Sequence, residues 1–130
     1  MKNKKKVPEI SIIIPCYNLE NVVKTTVKNI LKNLEKFSDS FEILIVNDGS
    51  TDNTLEVIQD IKNNHECIDV ITYSQNKGKG YAVKTGILQS IGSSIVFIDG
   101  DLDITPDAIQ NYIEELSNFD LVIGSKLLQN

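Results

Sequence analysis

Short apolar runs rich in β-branched side chains alternate along the chain with segments of helical period. The runs are nearly continuous, which is typical of strands that are buried on both faces of a sheet. They lie at residues 10–14, 41–46, 67–73, 94–98 and 119–123. Because proline has no N–H to donate to a sheet, we predict that the first strand ends at Pro15.

Between these runs, apolar residues recur at intervals of three and four, the spacing that predicts amphipathic helices. The clearest set is Val23, Val27, Ile30, Leu31 and Leu34. Further helices are predicted near residues 55–61, 81–90 and 106–116. Ser50 or Thr51 is the candidate N-cap of the second helix, and Thr105, followed by Pro106, is that of the last.

Alternating strands and helices predict an α/β fold, with a mostly parallel sheet, right-handed crossovers and helices on both faces. In such sheets, ligands bind outside the carboxyl ends of the strands. The polar and glycine-rich segments of this chain directly follow the predicted strands, so we expect them to gather at one edge. They are residues 15–18, 47–51, 75–80, 99–103 and 124–126.

The composition narrows the class of protein. The chain has 130 residues, enough for one domain, and a formal net charge of -5, which argues against a nucleic-acid partner. Two cysteines without a CxxC motif and a single histidine favour neither a disulfide framework nor a zinc site, so we expect a reducing, cytoplasmic setting. Residues 1–9 form a basic tail, interpreted as solvated or, alternatively, as a weak peripheral contact with anionic lipid at the cytoplasmic face.

Three aspartates, Asp99, Asp101 and Asp103, follow the fourth predicted strand. Like charges this close repel unless a cation lies among them, and hard oxygen ligands suit Mg²⁺ or Mn²⁺. An EF-hand loop is excluded, because Ile104 and Gln110 occupy positions that require glycine and glutamate. Asp103 has an alternative role in starting the helix that follows. The triplet therefore predicts a divalent metal site.

Two other segments carry candidate binding groups. Asp48, at the end of the second strand, can accept the ring N–H of uracil or guanine without distinguishing the two bases. Gly78 and Gly80 open a helix and can present backbone N–H groups to an anion. Lys77 and Lys79 either add charge for a diphosphate or are solvated loop residues. Together these segments predict a site for a nucleoside diphosphate.

Five short motifs in register resemble the family 2 glycosyltransferases of the GT-A fold. They are IIIPCYN (12–18), VNDGSTD (46–52), NKGKG (76–80), FIDGD (97–101) and VIGSK (122–126). Within that family the chain most resembles dolichyl-phosphate (polyprenyl-phosphate) mannosyl- and glucosyltransferases. The resemblance covers nearly the whole chain and implies a Rossmann-like GT-A nucleotide-diphospho-sugar transferase domain over residues 10–130.

The resemblance implies an inverting, Mg²⁺- or Mn²⁺-assisted transfer of a hexose from GDP-mannose or UDP-glucose to a polyprenyl or dolichyl phosphate. Asp99 and Asp101 would form the catalytic, metal-binding DXD pair, with Asp103 as a further ligand and Gly100 allowing close backbone approach. Contacts with the donor are expected from Pro15, Tyr17, Asn18, Val46, Asp48, Lys77, Gly78, Gly100 and Asp101.

The chain departs from the family pattern at two positions. Leu19 stands where relatives commonly have glutamate, and the acid here is Glu20. Lys126 replaces the usual arginine, which can grip phosphate with two parallel donors. Catalytic domains of this family also continue past the last motif, so we expect a domain incomplete at its carboxyl end. The alternative function is a nucleotide-sugar-binding module that is catalytically incomplete. A receiver-type domain lacks support, since no acidic pair follows the first strand.

Overall fold

The computed structural model describes residues 7–101 and 107–119. The described elements are β1 (Ile10–Cys16), α1 (Val23–Leu34), β2 (Phe41–Asp48), α2 (Thr54–Asn63), β3 (Ile68–Tyr73), α3 (Lys79–Gln89), β4 (Ser94–Phe97) and α4 (Asp107–Glu115). The strands form one parallel sheet in the order β3-β2-β1-β4, which confirms the predicted α/β class. Several predicted features lie outside the described residues: the lysines of the tail, Asp103, the Thr105–Pro106 helix start, most of the fifth strand and Lys126.

Helices cover both faces of the sheet, as predicted. Successive side chains of a strand point to opposite faces, so β1 contributes to two cores. Ile12 and Ile14 pack with apolar residues of α1, α2 and α4. Ile13 packs on the other face with Val46 of β2 and Ala82 of α3. Burial of these aliphatic side chains stabilises the fold by about 1.5–3 kcal/mol each.

The prediction that the first strand ends at Pro15 is wrong, because β1 continues to Cys16 and pairs with β2 along its whole length. On the other side, the last bond to the β4 segment runs from the Ile98 N–H to the Ile13 carbonyl, at 2.9 Å. Pro15 lies two residues further along that side and has no N–H to continue the ladder. The proline therefore leaves the β2 pairing intact and ends the contact with β4, so a cleft opens between the two strands.

The predicted N-caps of α2 are also wrong. This helix begins at Thr54, and neither Ser50 nor Thr51 caps it. The carboxylate of Asp52 instead accepts the Thr54 N–H at 2.9 Å. Ser50 and Thr51 bond across to Asn18 in the neighbouring loop, so their polar groups join two loops at the carboxyl edge of the sheet.

Candidate functional site

A pocket of about 280 Å³ lies at the carboxyl ends of β1, β2 and the β4 segment, against the start of α3. Its place is the point where the chain order of the strands reverses, between β1 and β4, which is where open α/β sheets bind ligands. The lining residues are Pro15, Cys16, Tyr17, Leu19, Asp48, Asn76, Gly78, Lys79, Ala82, Asp99, Gly100 and Asp101.

One wall of the pocket, the segment after β1, is fixed by hydrogen bonds to the loop after β2. The Asn18 side-chain oxygen accepts the Thr51 N–H at 2.8 Å, and Asn18 adopts a positive φ of 52°. The Leu19 N–H donates to the Thr54 hydroxyl at 2.8 Å. Glu20 accepts the Asn53 N–H at 3.0 Å. Asn18 and Glu20 thus join the loops and place Tyr17 and Leu19 at the pocket.

Asp48 is a buried carboxylate, 3% exposed, that organises the loop before α3. One oxygen accepts the Lys77 N–H at 2.8 Å, and the other accepts the Gly78 N–H at 3.0 Å. The Tyr73 hydroxyl donates to the first oxygen at 2.7 Å. Of the two backbone donors that the sequence offers to a ligand anion, at Gly78 and Gly80, the Gly78 N–H is therefore engaged by Asp48 itself. The carboxylate still lines the pocket and keeps acceptor capacity for one further donor.

An aromatic pair supports the same loop from outside. Burial, with the adjacent Asp48 carboxylate, raises the pKa of the Tyr73 phenol, so its hydroxyl remains a donor near neutral pH. The Tyr73 and Tyr81 rings meet edge to face, with centroids 5.4 Å apart. The Lys77 ammonium lies 4.6 Å from the centre of the Tyr81 ring. This cation–π contact keeps the Lys77 ammonium against the tyrosine pair.

The start of α3 brings a positive charge to the aspartates. Lys79 is the first residue of this helix, which has no side-chain cap and no acidic residue in its first turn. Its ammonium forms an ion pair with the Asp99 carboxylate. The Asp48 carboxylate already accepts the N–H of Gly78, the residue before this helix, so the charge that favours an anion at this wall comes mainly from Lys79.

Gly100 allows the segment after β4 to approach β1 closely. A Cβ atom there would lie 2.7 Å from the Leu19 side chain and 3.1 Å from the Cys16 sulfur. The Gly100 carbonyl accepts the Thr26 hydroxyl of α1 at 2.7 Å, which fixes the segment. The aspartates on either side of Gly100 are consequently held at the pocket wall.

The described residues fit a divalent cation only in part. Asp99 and Asp101 both line the pocket, and two carboxylates with substrate phosphates are a common set for Mg²⁺. Within residues 7–101 and 107–119, no group of three or more histidine, cysteine or acidic side chains could hold a metal by itself. The two aspartates thus suit a metal that arrives with phosphate ligands.

Most of the predicted site residues come together in this pocket. Pro15, Tyr17, Asp48, Gly78, Asp99, Gly100 and Asp101 line it. Asn18 and Lys77 do not, since their side chains serve the loop contacts above, and Val46 is buried under α3. Burial raises the pKa of the Cys16 thiol to about 12, so this lining residue is an inert packing group.

Sequence reasoning missed two features of the pocket. Ala82, one turn into α3, lines the pocket and carried no polar signal. The ion pair between Lys79 and Asp99 joins two loops that are distant along the chain. In the sequence, Lys79 lies in a motif with two glycines. This motif indicates the start of a helix but does not indicate that Asp99 is the ion-pair partner.

Comparison with known proteins places this geometry in context. Residues 11–128 match the family model described as glycosyl transferase family 2. Poly-beta-1,6-N-acetyl-D-glucosamine synthase of Staphylococcus epidermidis is 37% identical over 110 residues, covering 85% of this chain and 26% of that protein. Undecaprenyl-phosphate 4-deoxy-4-formamido-L-arabinose transferase of Proteus mirabilis is 26% identical over 129 residues, covering 97% and 39%.

Among solved structures, a mannosyltransferase from Pyrobaculum calidifontis in complex with GDP-Man and Mn²⁺ superposes with a TM-score of 0.74 and 22% identity, covering 87% of this chain and 33% of that one. This likeness shows the fold. The chain spans between a quarter and two fifths of the curated relatives it matches. In the described part of the chain, no helix is both long and apolar enough to cross a membrane.

Proposed function

The chain belongs to glycosyl transferase family 2, and from that premise we propose that its pocket binds a nucleoside diphosphate sugar with Mg²⁺ or Mn²⁺, for transfer of the sugar to a polyprenyl phosphate. The observation that carries the proposal is the pairing of opposite charges across one pocket. Asp99 and Asp101 form an acidic wall, and Lys79, the first residue of α3, forms a basic one. A metal ion and a diphosphate are complementary to these two walls.

Each wall has a distinct task in this proposal. Asp99 and Asp101 would hold the cation, which when bound supplies Lewis-acid neutralisation of the departing diphosphate. Tyr17, 45% exposed at the pocket, offers a ring for the base, and Asp48 offers its remaining acceptor position to a ring N–H. Gly100 keeps the acidic wall close to β1. These residues would orient the donor. The molecule that accepts the transferred sugar would be bound by residues outside the described ranges.

A lipid phosphate fits as the acceptor for a chemical reason. A phosphate monoester has a second pKa of about 6, so it is already ionised near neutrality and needs no general base. The Proteus mirabilis relative is named as an undecaprenyl-phosphate transferase, which supports this class. The Staphylococcus epidermidis relative is named as a polysaccharide synthase, so a sugar acceptor is the competing class. We propose that residues 10–130 are the donor-binding domain, and that it is cytoplasmic and peripheral at the cytoplasmic face of the membrane.

A second candidate function is a nucleotide-sugar-binding module, in which the same pocket holds the donor and no sugar is transferred. The described lining contains the groups proposed here for the donor and the metal. Both functions require the same donor pocket and differ only in turnover.

Calorimetry tests the donor site. GDP, UDP, GDP-mannose and UDP-glucose are titrated into the chain with Mn²⁺ and again with EDTA. We expect one base to bind, with affinity lost in EDTA. Asp101→Asn should weaken this binding at least tenfold. Asp39→Asn is the matched control, because Asp39 is exposed at the opposite end of the strands and should change nothing.

Absence of binding to all four nucleotides, or equal effects of the two substitutions, would contradict the proposed site. If a donor binds, incubation with that sugar nucleotide and a polyprenyl phosphate separates the two functions. Appearance of a glycosylated lipid supports the transferase, and intact donor supports the binding module.

A further inference from the structure

We propose that Lys79 acts as a resident cation for Asp99, which a divalent metal displaces, and that the released ammonium then binds the diphosphate that accompanies the metal. The inference rests on the proposed function and deepens it. It assigns a positioning role to Lys79, for which the sequence alone left two interpretations: a charge for a diphosphate or a solvated loop residue. The role differs from that of a simple phosphate-binding lysine, because Lys79 would serve two partners in turn.

The ion pair answers how closely spaced aspartates are tolerated before a metal binds. The Lys79 ammonium contacts Asp99, so it offsets the repulsion between Asp99 and Asp101. The side chains of Lys79 and Asp99 are 55% and 36% exposed. A pair this exposed is weak, since water and salt screen it, and a ligand can break it readily. The pair therefore holds the acidic wall in place without blocking metal entry.

Metal binding and the ion pair compete for the same carboxylate. A divalent cation held by Asp99 would repel the ammonium and compete with it for the carboxylate. Lys79 belongs to the pocket lining, so the freed ammonium remains inside the pocket. It belongs to the first residue of α3, so its position in the pocket is fixed by the helix. A diphosphate bound to the metal offers negative charge at the same wall.

Lys77 provides a matched control in the same loop. It carries the same charge two residues away, but its ammonium lies over the Tyr81 ring and 3.4 Å from the Tyr81 hydroxyl. The two described ion pairs of the protein join Lys62 with Asp69 and Lys79 with Asp99, and neither includes Lys77. A general effect of removing one positive charge should appear in both Lys77→Met and Lys79→Met. An effect of the exchange of Lys79 between Asp99 and the diphosphate should appear only in Lys79→Met.

The test measures two dissociation constants by calorimetry for the wild type, Lys79→Met, Lys77→Met and Lys79→Arg. The first is for Mn²⁺ alone, which two carboxylates without phosphate ligands hold weakly, so Mn²⁺ is titrated to millimolar concentration. The second is for the preferred nucleoside diphosphate at saturating Mn²⁺. For Lys79→Met we expect Mn²⁺ alone to bind about two- to fivefold tighter, because its competitor is gone. The nucleotide should bind about tenfold weaker or more, because a charged contact is lost. Lys79→Arg keeps the charge and should restore both constants to within about threefold of the wild type.

Opposite changes in the two constants are the signature of the exchange. The inference is overturned if Lys79→Met weakens both, changes neither, or matches Lys77→Met. Circular dichroism of each variant confirms folding, and Lys79→Gln repeats the test with a polar side chain. If the wild type binds nucleotide with Mn²⁺ but the opposite changes are missing, only this inference fails. If the wild type binds neither Mn²⁺ nor nucleotide, the proposed function fails with it.

Discussion

Asp48 shows how one buried carboxylate can serve both the fold and the site. Its oxygens accept two backbone N–H groups of the loop before α3 and the hydroxyl of Tyr73. An unpartnered charge at a position 3% exposed would be costly, so these bonds explain why the residue is tolerated there. The same bonds hold Gly78 and Lys79 at the pocket. Binding of a base at Asp48 would therefore build on a loop that is already in place.

We expect Asp48→Asn to destabilise the protein by about 2–3 kcal/mol, since the amide NH₂ turns a donor toward one of the loop N–H groups. Urea unfolding of the variant and the wild type measures the loss. Hydrogen exchange at the Lys77 and Gly78 amides should accelerate in the variant. Unchanged protection of these two amides would contradict the organising role given to Asp48.

The carboxyl group of Asp52 leads to a prediction about how the stability of the protein depends on pH. Desolvation opposes its charge, but hydrogen bonds from Thr54 and from the Glu20 N–H prevail and lower the pKa of its carboxyl. A lowered folded-state pKa contributes stability that is complete above the unfolded pKa of about 4 and is lost as pH falls through the folded value. Asp52→Asn should therefore cost about 1 kcal/mol at pH 7 and progressively less below about pH 4. A difference in unfolding free energy that stays constant from pH 7 to pH 2 would contradict this.

At the scale of elements, the site depends on the close fit between loops that follow different strands. Gly49, with a φ of +66°, lets the end of β2 approach the loop before α3. A Cβ atom at Gly49 would lie 2.4 Å from the backbone at Gln75 and Asn76. Neither the conformation nor the space suits another residue. The glycine of the second motif therefore allows the loop before α3, with Asn76 and Gly78, to lie at the pocket.

A pair of alanine substitutions tests this fit. Gly49→Ala should destabilise the protein by at least about 2 kcal/mol, because strain at positive φ adds to a backbone clash. Gly80→Ala should be neutral or should stabilise by up to about 1 kcal/mol, because a Cβ there meets nothing within 4 Å and alanine favours the helix. Thermal unfolding of both variants measures the contrast. Equal melting temperatures would mean that the close approach at Gly49 is unnecessary.

Pro15 shows why the end of β1 could not be predicted from the sequence alone. The missing N–H suggested the end of a strand, yet the effect of a proline depends on which neighbour its nitrogen faces. The β2 side of β1 continues to Cys16, while the β4 side ends after Ile13. The sequence does not say which strands flank β1, so it could not say that Pro15 opens a cleft and keeps the strand.

At the scale of the whole molecule, the class of fold and the edge that carries the site were predictable. Both follow from the alternation of apolar runs with helical segments and from polar residues placed directly after strands. The strand order was not predictable, because crossovers of similar length permit several orders. The Lys79–Asp99 pair depends on that order, and so do the loop contacts of Asn18. The residue types therefore predicted which polar segments lie at the pocket, and the strand order determined which of their side chains reach it.

Asp99 and Asp101, at the carboxyl edge of the sheet, are the residues that we propose hold the metal in the donor pocket. A second groove of the described surface, near α1 and α2, has Glu20, Lys24, Glu56 and Asp60 in its lining and could compete for the ion. Selective broadening of backbone amide signals by Mn²⁺ in the presence of nucleotide locates the ion directly. We expect broadening at Tyr17, Gly100 and Asp101, reversed by EDTA and lost in Asp101→Asn. Broadening centred on Glu56 and Asp60 would contradict this assignment of the metal site.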